Sequence, residues 1–127
     1  MIAFASAAWA SDPTDPVAEA FAAAGGAGRI GRTITGGPDG EVRWIAVVEG
    51  GAVTYEPGPL EGADVTFTDT AKGALAQLRG EVDPNASFMR GQTKVSGPTS
   101  LLLDVLAAAR GEAFTAARER ALARVDA

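Results

Sequence analysis

The sequence predicts a single α+β domain: a five-stranded, mainly antiparallel sheet covered by helices. Three observations predict it. Segments rich in β-branched residues are concentrated between residues 29 and 68, and glycine pairs mark the turns between them. Asp15-Pro16 and Asp83-Pro84 each place an N-cap carboxylate before a Pro suited to the first helical position. The 127 residues suit one domain with one core, and no repeat or linker divides them.

Along the chain, residues 3–10 read as a short helix interrupted by Ser11-Asp12-Pro13. A helix then starts at Asp15-Pro16, with Val17, Ala20, Phe21 and Ala24 on one stripe, and stops at Gly25-Gly26. Strands follow over 29–35 and 41–49, separated by the turn residues Gly36-Gly37-Pro38-Asp39-Gly40. The second strand carries Val42, Trp44, Ala46 and Val48 on one face and Ile45 and Val47 on the other, which predicts a central strand covered on both sides. Gly50-Gly51 is a hairpin signal leading into a strand at 52–56. At 63–68, Val65 and Phe67 alternate with polar residues, as in a half-buried strand.

A helix over 70–79 presents Ala71, Leu75 and Leu78 to the core, with Gly80 as its stop. Asp83-Pro84 opens a single turn bearing Phe88 and Met89, and Gly91 releases a last strand at 92–96. The helix from Thr99 to about Arg110 is apolar on most of its circumference, with Asp104 the only charge before Arg110. A helix of that kind needs cover on several sides. Beyond the sheet, the second cover is the C-terminal helix, a partner subunit in a homodimer, or a ligand. The C-terminal helix, 112–125, has an alanine-rich stripe whose large members are Phe114 and Leu122. So little bulk suggests a segment separable from the rest of the fold.

Composition excludes several functions. The net charge of −5 argues against a nucleic-acid partner and leaves at most transient contact with anionic membranes. With no His and no Cys, a serine triad, a cysteine nucleophile and the common zinc sites are ruled out. Ser96 and Lys94 alternate on one strand, where two solvated side chains are the ordinary reading. No carboxylates fall at calcium-loop spacing, so neither a catalytic residue nor a metal site is assigned, and no cofactor is expected. The first ten residues lack a basic region and no apolar run reaches about 20 residues, so the expected location is the cytoplasm. Nine of the eleven basic residues are Arg, a bias of GC-rich bacterial genomes.

One stretch is more specific. Gly80 is followed by Asp83-Pro84, then Ser87-Phe88-Met89, Gly91 and Lys94-Val95-Ser96-Gly97, and the strand Ala63-Asp64-Val65-Thr66-Phe67-Thr68 precedes them. In these residues and their spacing the chain resembles the sterol carrier protein 2 family, closely over about residues 40 to 110. The resemblance implies an apolar tunnel between sheet and helices, with the C-terminal segment 112–127 lying over it as a lid. It implies non-catalytic binding, and transfer, of an apolar molecule such as a fatty acid, fatty acyl-CoA or sterol. Domains of this family also occur beside enzymes as structural or dimerising parts, which is the alternative reading.

Carried over by position, Phe88 and Met89 border the tunnel, and Leu101, Leu102, Val105 and Leu106 form one wall. Trp44 and Phe67 match sheet positions that are equally well explained as plain core. Phe114 and Leu122 complete the expected lining from the lid. Two departures stand out. Thr93 replaces an apolar residue, which suggests an exposed face there, and Gly97-Pro98 replaces the usual capping pair, leaving Thr99 to share the cap.

Overall fold

A computed structural model describes residues 2–126. The elements are β1 (Ile2–Ala3), α1 (Ala7–Ala10), α2 (Pro16–Ala23), β2 (Gly28–Gly37), β3 (Gly40–Glu49), β4 (Ala52–Pro57), β5 (Val65–Thr70), α3 (Ala71–Leu78), α4 (Pro84–Met89), β6 (Lys94–Ser96), α5 (Thr99–Ala108), α6 (Glu112–Arg124) and β7 (Val125–Asp126). The five longer sheet strands lie in the order β4-β3-β2-β5-β6, and β1 pairs with β7 in a separate two-stranded sheet. Three of the four pairings in the main sheet are antiparallel, whereas β2 and β5 run parallel.

The sheet is thus mainly antiparallel, as the sequence predicts, with one parallel pair inside it. After β4 the chain crosses the sheet and enters on the far side of β2, which becomes the middle strand, while β3 stays interior between β2 and β4 as its two apolar faces predict. The crossing loop lies against the sheet at Gly31, where a Cβ would meet Leu60, Ala63 and Thr66 side chains at 3.0–3.3 Å. Glycine lets the loop approach this closely. Asp64 ties the crossing to the edge of β2: its backbone N–H donates to the Arg29 carbonyl, and its carboxylate accepts from the Arg29 backbone N–H at 2.8 Å.

Cross-strand partners share a face of the sheet, so the register identifies the helix-covered face. It carries Ile30, Arg32 and Ile34 of β2, Val42, Trp44 and Ala46 of β3, and Val65, Phe67 and Asp69 of β5, all buried. Helices α1, α2 and α3 pack on this sheet, and α2 also meets α5 and α6. The N-caps work as the Asp-Pro pairs predict: Asp15 accepts from the Ala18 N–H and Asp83 from the Asn85 N–H.

The second cover of α5 is α2. Leu102, Val105 and Leu106 point inward and are buried, while Leu103 is 55% exposed, so the helix is not enclosed all round. Its N-cap is Pro98 with no side-chain cap bond, so Thr99 does not share that role. The C-terminal segment is tied in more firmly than its alanine content suggests. Phe114, Ala117, Ala121 and Val125 are buried, Arg118 donates to the Leu78 carbonyl at 3.0 Å, and β7 pairs with β1.

Candidate functional site

The helix-covered face holds a buried polar cluster built around Arg32. Its Nε donates to Asp15 Oδ2 at 3.2 Å, its Nη2 to Asp15 Oδ1 at 3.4 Å and its Nη1 to Asp69 Oδ2 at 2.9 Å. The guanidinium also lies 5.2 Å from the centroid of the Phe67 ring, within cation–π range. Asp69 Oδ1 accepts from Gln77 Nε2 at 3.1 Å and from the Thr93 hydroxyl. Thr93 in turn lies 2.7 Å from Ser87 Oγ. Six segments of chain are thus joined through side chains that are each less than 10% exposed.

Burial by itself would lower the affinity of Arg32 for its proton; the carboxylates of Asp15 and Asp69 outweigh that and raise it above its ordinary value. Tyr55 completes the cluster by accepting the Asp15 backbone N–H at 3.0 Å. Its phenol is pushed well up, first by burial and then by the charge of Asp15. Thr93 is 5% exposed, so the polar residue at that position marks an inward-facing hydroxyl serving Asp69 and not an exposed face.

Next to this cluster, between the sheet and helices α2, α3 and α6, is a cavity of about 50 Å³. Trp9, Val17, Ile34, Trp44, Leu78 and Phe114 supply a wall that is almost wholly apolar, and Asp15, Arg32, Asp69, Gln77 and Arg118 border it while turning little polar surface toward it. Trp9 and Trp44 meet edge to face at 5.1 Å, and Phe4 leans on Trp9 at 5.0 Å. The volume holds a few water-sized groups and falls well short of the roughly 300 Å³ at which ligand pockets begin. Among the described residues, the two buried side-chain polar atoms without a hydrogen-bond partner are Trp9 Nε1 and Trp44 Nε1. Both belong to side chains of this wall.

Residues 11–110 match the SCP-2 sterol transfer family. The chain belongs to that family. Solved structures of similar fold include a sterol carrier protein 2, at TM-score 0.64 and 23% identity, covering 88% of this chain and 95% of that one. A conserved hypothetical protein of Thermus thermophilus, possibly sterol carrier protein, gives TM-score 0.62 and 23% identity over 90% of this chain and 87% of that one. Palmitated SCP2L2 of Aedes aegypti gives TM-score 0.55 and 20% identity over 67% and 74%. No curated protein sequence matches the chain.

Within this SCP-2 fold, the residues expected at the tunnel are distributed unevenly. Trp44 and Phe114 line the cavity. Phe67 is buried on the same sheet face beneath Arg32, outside the cavity lining. Leu102, Val105 and Leu106 are buried core residues, and Leu101, Phe88 and Leu122 are half-buried against that core. None of the six reaches the cavity. Met89 is 80% exposed. The residues missed by sequence reasoning are Trp9 and the polar residues bordering the cavity, Asp15, Arg32, Asp69, Gln77 and Arg118.

Proposed function

We propose that this SCP-2 family member binds, without catalysis, an apolar molecule of the fatty acid, fatty acyl-CoA or sterol class between its sheet and its helices. The observation carrying this reading is the cavity walled by Trp9, Trp44, Phe114 and aliphatic side chains on the helix-covered face. Membership of the family and the fold shared with a palmitated protein support it. At about 50 Å³ the cavity is a seed for a larger tunnel, and a ligand widens it by shifting α6 and α3 away from the sheet. Each CH₂ buried contributes about 0.8 kcal/mol, so a long chain offsets that rearrangement. The segment 112–127 acts as the lid, since Phe114 and Arg118 of α6 form part of the cavity wall.

Native mass spectrometry of protein purified from its own host tests this. A co-purifying lipid, displaced by a fluorescent fatty acid, is the expected result. A persistent protein partner without lipid would replace the carrier by the structural or dimerising module.

A further inference from the structure

Two side chains from the first ten residues take up space in the cavity. Residues 2–10 precede the stretch matched to the family, yet they supply Phe4 and Trp9 to the cavity wall. Trp9 is 2% exposed and meets Trp44 edge to face at 5.1 Å, with Phe4 leaning on it at 5.0 Å. The Nε1 donor of Trp9 is buried without a partner. A donor left in that state costs free energy, so the seat of Trp9 is poorer than an ordinary core position. The segment is also lightly tied. Ala5 is, among the described residues, the one non-glycine residue at positive φ, 59°, a conformation its Cβ disfavours. Helix α1 is four residues long, too short to persist unsupported. Among the described residues, two attachments by hydrogen bond join the segment to the rest of the molecule. One is the two-residue pairing of β1 with β7, and the other is the exposed Ala7 N–H to Asp39 Oδ2 at 2.8 Å.

Resting on the binding function proposed above, we infer that residues 2–10 are an internal plug. Trp9 and Phe4 hold the place of the ligand beside Trp44, and the segment swings out when an apolar chain enters. One apolar group then replaces another against Trp44, so the exchange turns on the ligand's additional contacts. What opposes release is exposure of two aromatic side chains to water, which burial of the ligand offsets. Release also lets Trp9 Nε1 bond to water and Ala5 leave its disfavoured conformation, and both gains favour the open state. Because β7 follows α6 directly, a shift of α6 pulls on the β1–β7 pair, so lid and plug open together. The closed plug lowers the apparent affinity in proportion to the fraction of molecules in which it is open.

The chain contains two tryptophans, so wild type labelled with fluorotryptophan gives two fluorine resonances, assigned by whichever of Trp9→Phe and Trp44→Phe folds. Dodecanoic acid is titrated at pH 7.5, and the shift difference between light and heavy water reads the exposure of each indole. At saturation Trp9 is expected to be solvent-exposed while Trp44 stays shielded. Asp39→Ala removes the exposed attachment at Ala7 and lies outside the cavity lining. It should bind the acid about threefold tighter than wild type. A saturated protein with both indoles shielded overturns the inference and leaves the binding function standing. An Asp39→Ala affinity no tighter than that of wild type also overturns it, because the segment then does not compete with the ligand. Binding by Asp39→Ala alone would support a plug that stays shut in wild type. Should neither protein bind the acid, the carrier function falls together with the inference.

Discussion

Arg32 and Asp69 stand on adjacent parallel strands with guanidinium nitrogen and carboxylate oxygen 2.9 Å apart, each side chain at most a tenth exposed. Removing one partner of a buried pair strands the other charge in a medium of low polarity. Asp69 also accepts from Gln77 and Thr93, so Asp69→Asn, which keeps a single acceptor oxygen, turns an amide NH2 toward either Arg32 or the Gln77–Thr93 side and removes the charge that pairs with Arg32. The substitution should cost about 3 kcal/mol. Glu56→Gln, which breaks the exposed 2.6 Å pair with Arg29, should cost under about 1 kcal/mol. Urea denaturation of both variants makes the comparison, and equal midpoints would refute a structural role for the cluster.

Tyr55 is the only tyrosine, which makes its titration readable by absorbance near 295 nm. Burial first, and the Asp15 carboxylate second, raise its ionisation above that of a free phenol. Because the folded value exceeds the unfolded one, the phenol contributes stability that is complete below about pH 10 and lost as pH rises beyond it. The native protein should stay un-ionised at about pH 11, whereas the urea-unfolded chain titrates near pH 10. A native transition close to 10 would mean that the Asp15–Tyr55 contact is open in solution.

The sequence was most legible where local chemistry decides structure. Asp15 and Asp83 cap the helices they were assigned, and Val65 and Phe67 alternate inward as their spacing predicts. The crossing that makes β2 central was hidden, because Arg32 and Thr33 give that strand a polar look and parallel pairing leaves no local turn signal. The same Arg32 held the clue to the polar cluster: a charged residue at an inward position between Ile30 and Ile34 demands buried partners. Those partners, Asp15 and Asp69, are remote in sequence, so pattern alone could not pair them. The apolar helix α5 misled in the other direction, since Leu102 and Leu106 fill the core without reaching the cavity and Leu103 faces outward.

Residues 112–127 give a direct test of integration. Their removal would expose the surfaces that Phe114, Ala117, Ala121 and Val125 cover, delete the Arg118 bond to Leu78 and leave β1 unpaired. Burying one large apolar side chain contributes about 1.5–3 kcal/mol, so losing this set should lower the thermal midpoint by more than about 10 °C. A truncated chain melting within a few degrees of the full one would show that the segment is separable after all.

The cavity and the core make opposite responses to added bulk. Ala74 lines the cavity on α3, and leucine is a good helix former, so Ala74→Leu can extend into unoccupied space. Leu106 is 4% exposed in the core and does not line the cavity. Leu106→Trp therefore forces extra volume into close-packed surroundings at a cost of about 1–3 kcal/mol. Ala74→Leu should leave the unfolding midpoint unchanged or raised while weakening uptake of a fluorescent fatty acid about tenfold. Leu106→Trp should lower the midpoint and affect uptake only as far as it unfolds the protein. Reversal of the pattern, with Leu106→Trp stable but unable to take up the fatty acid, would move the ligand from the Trp9–Trp44 cavity to the α5 wall.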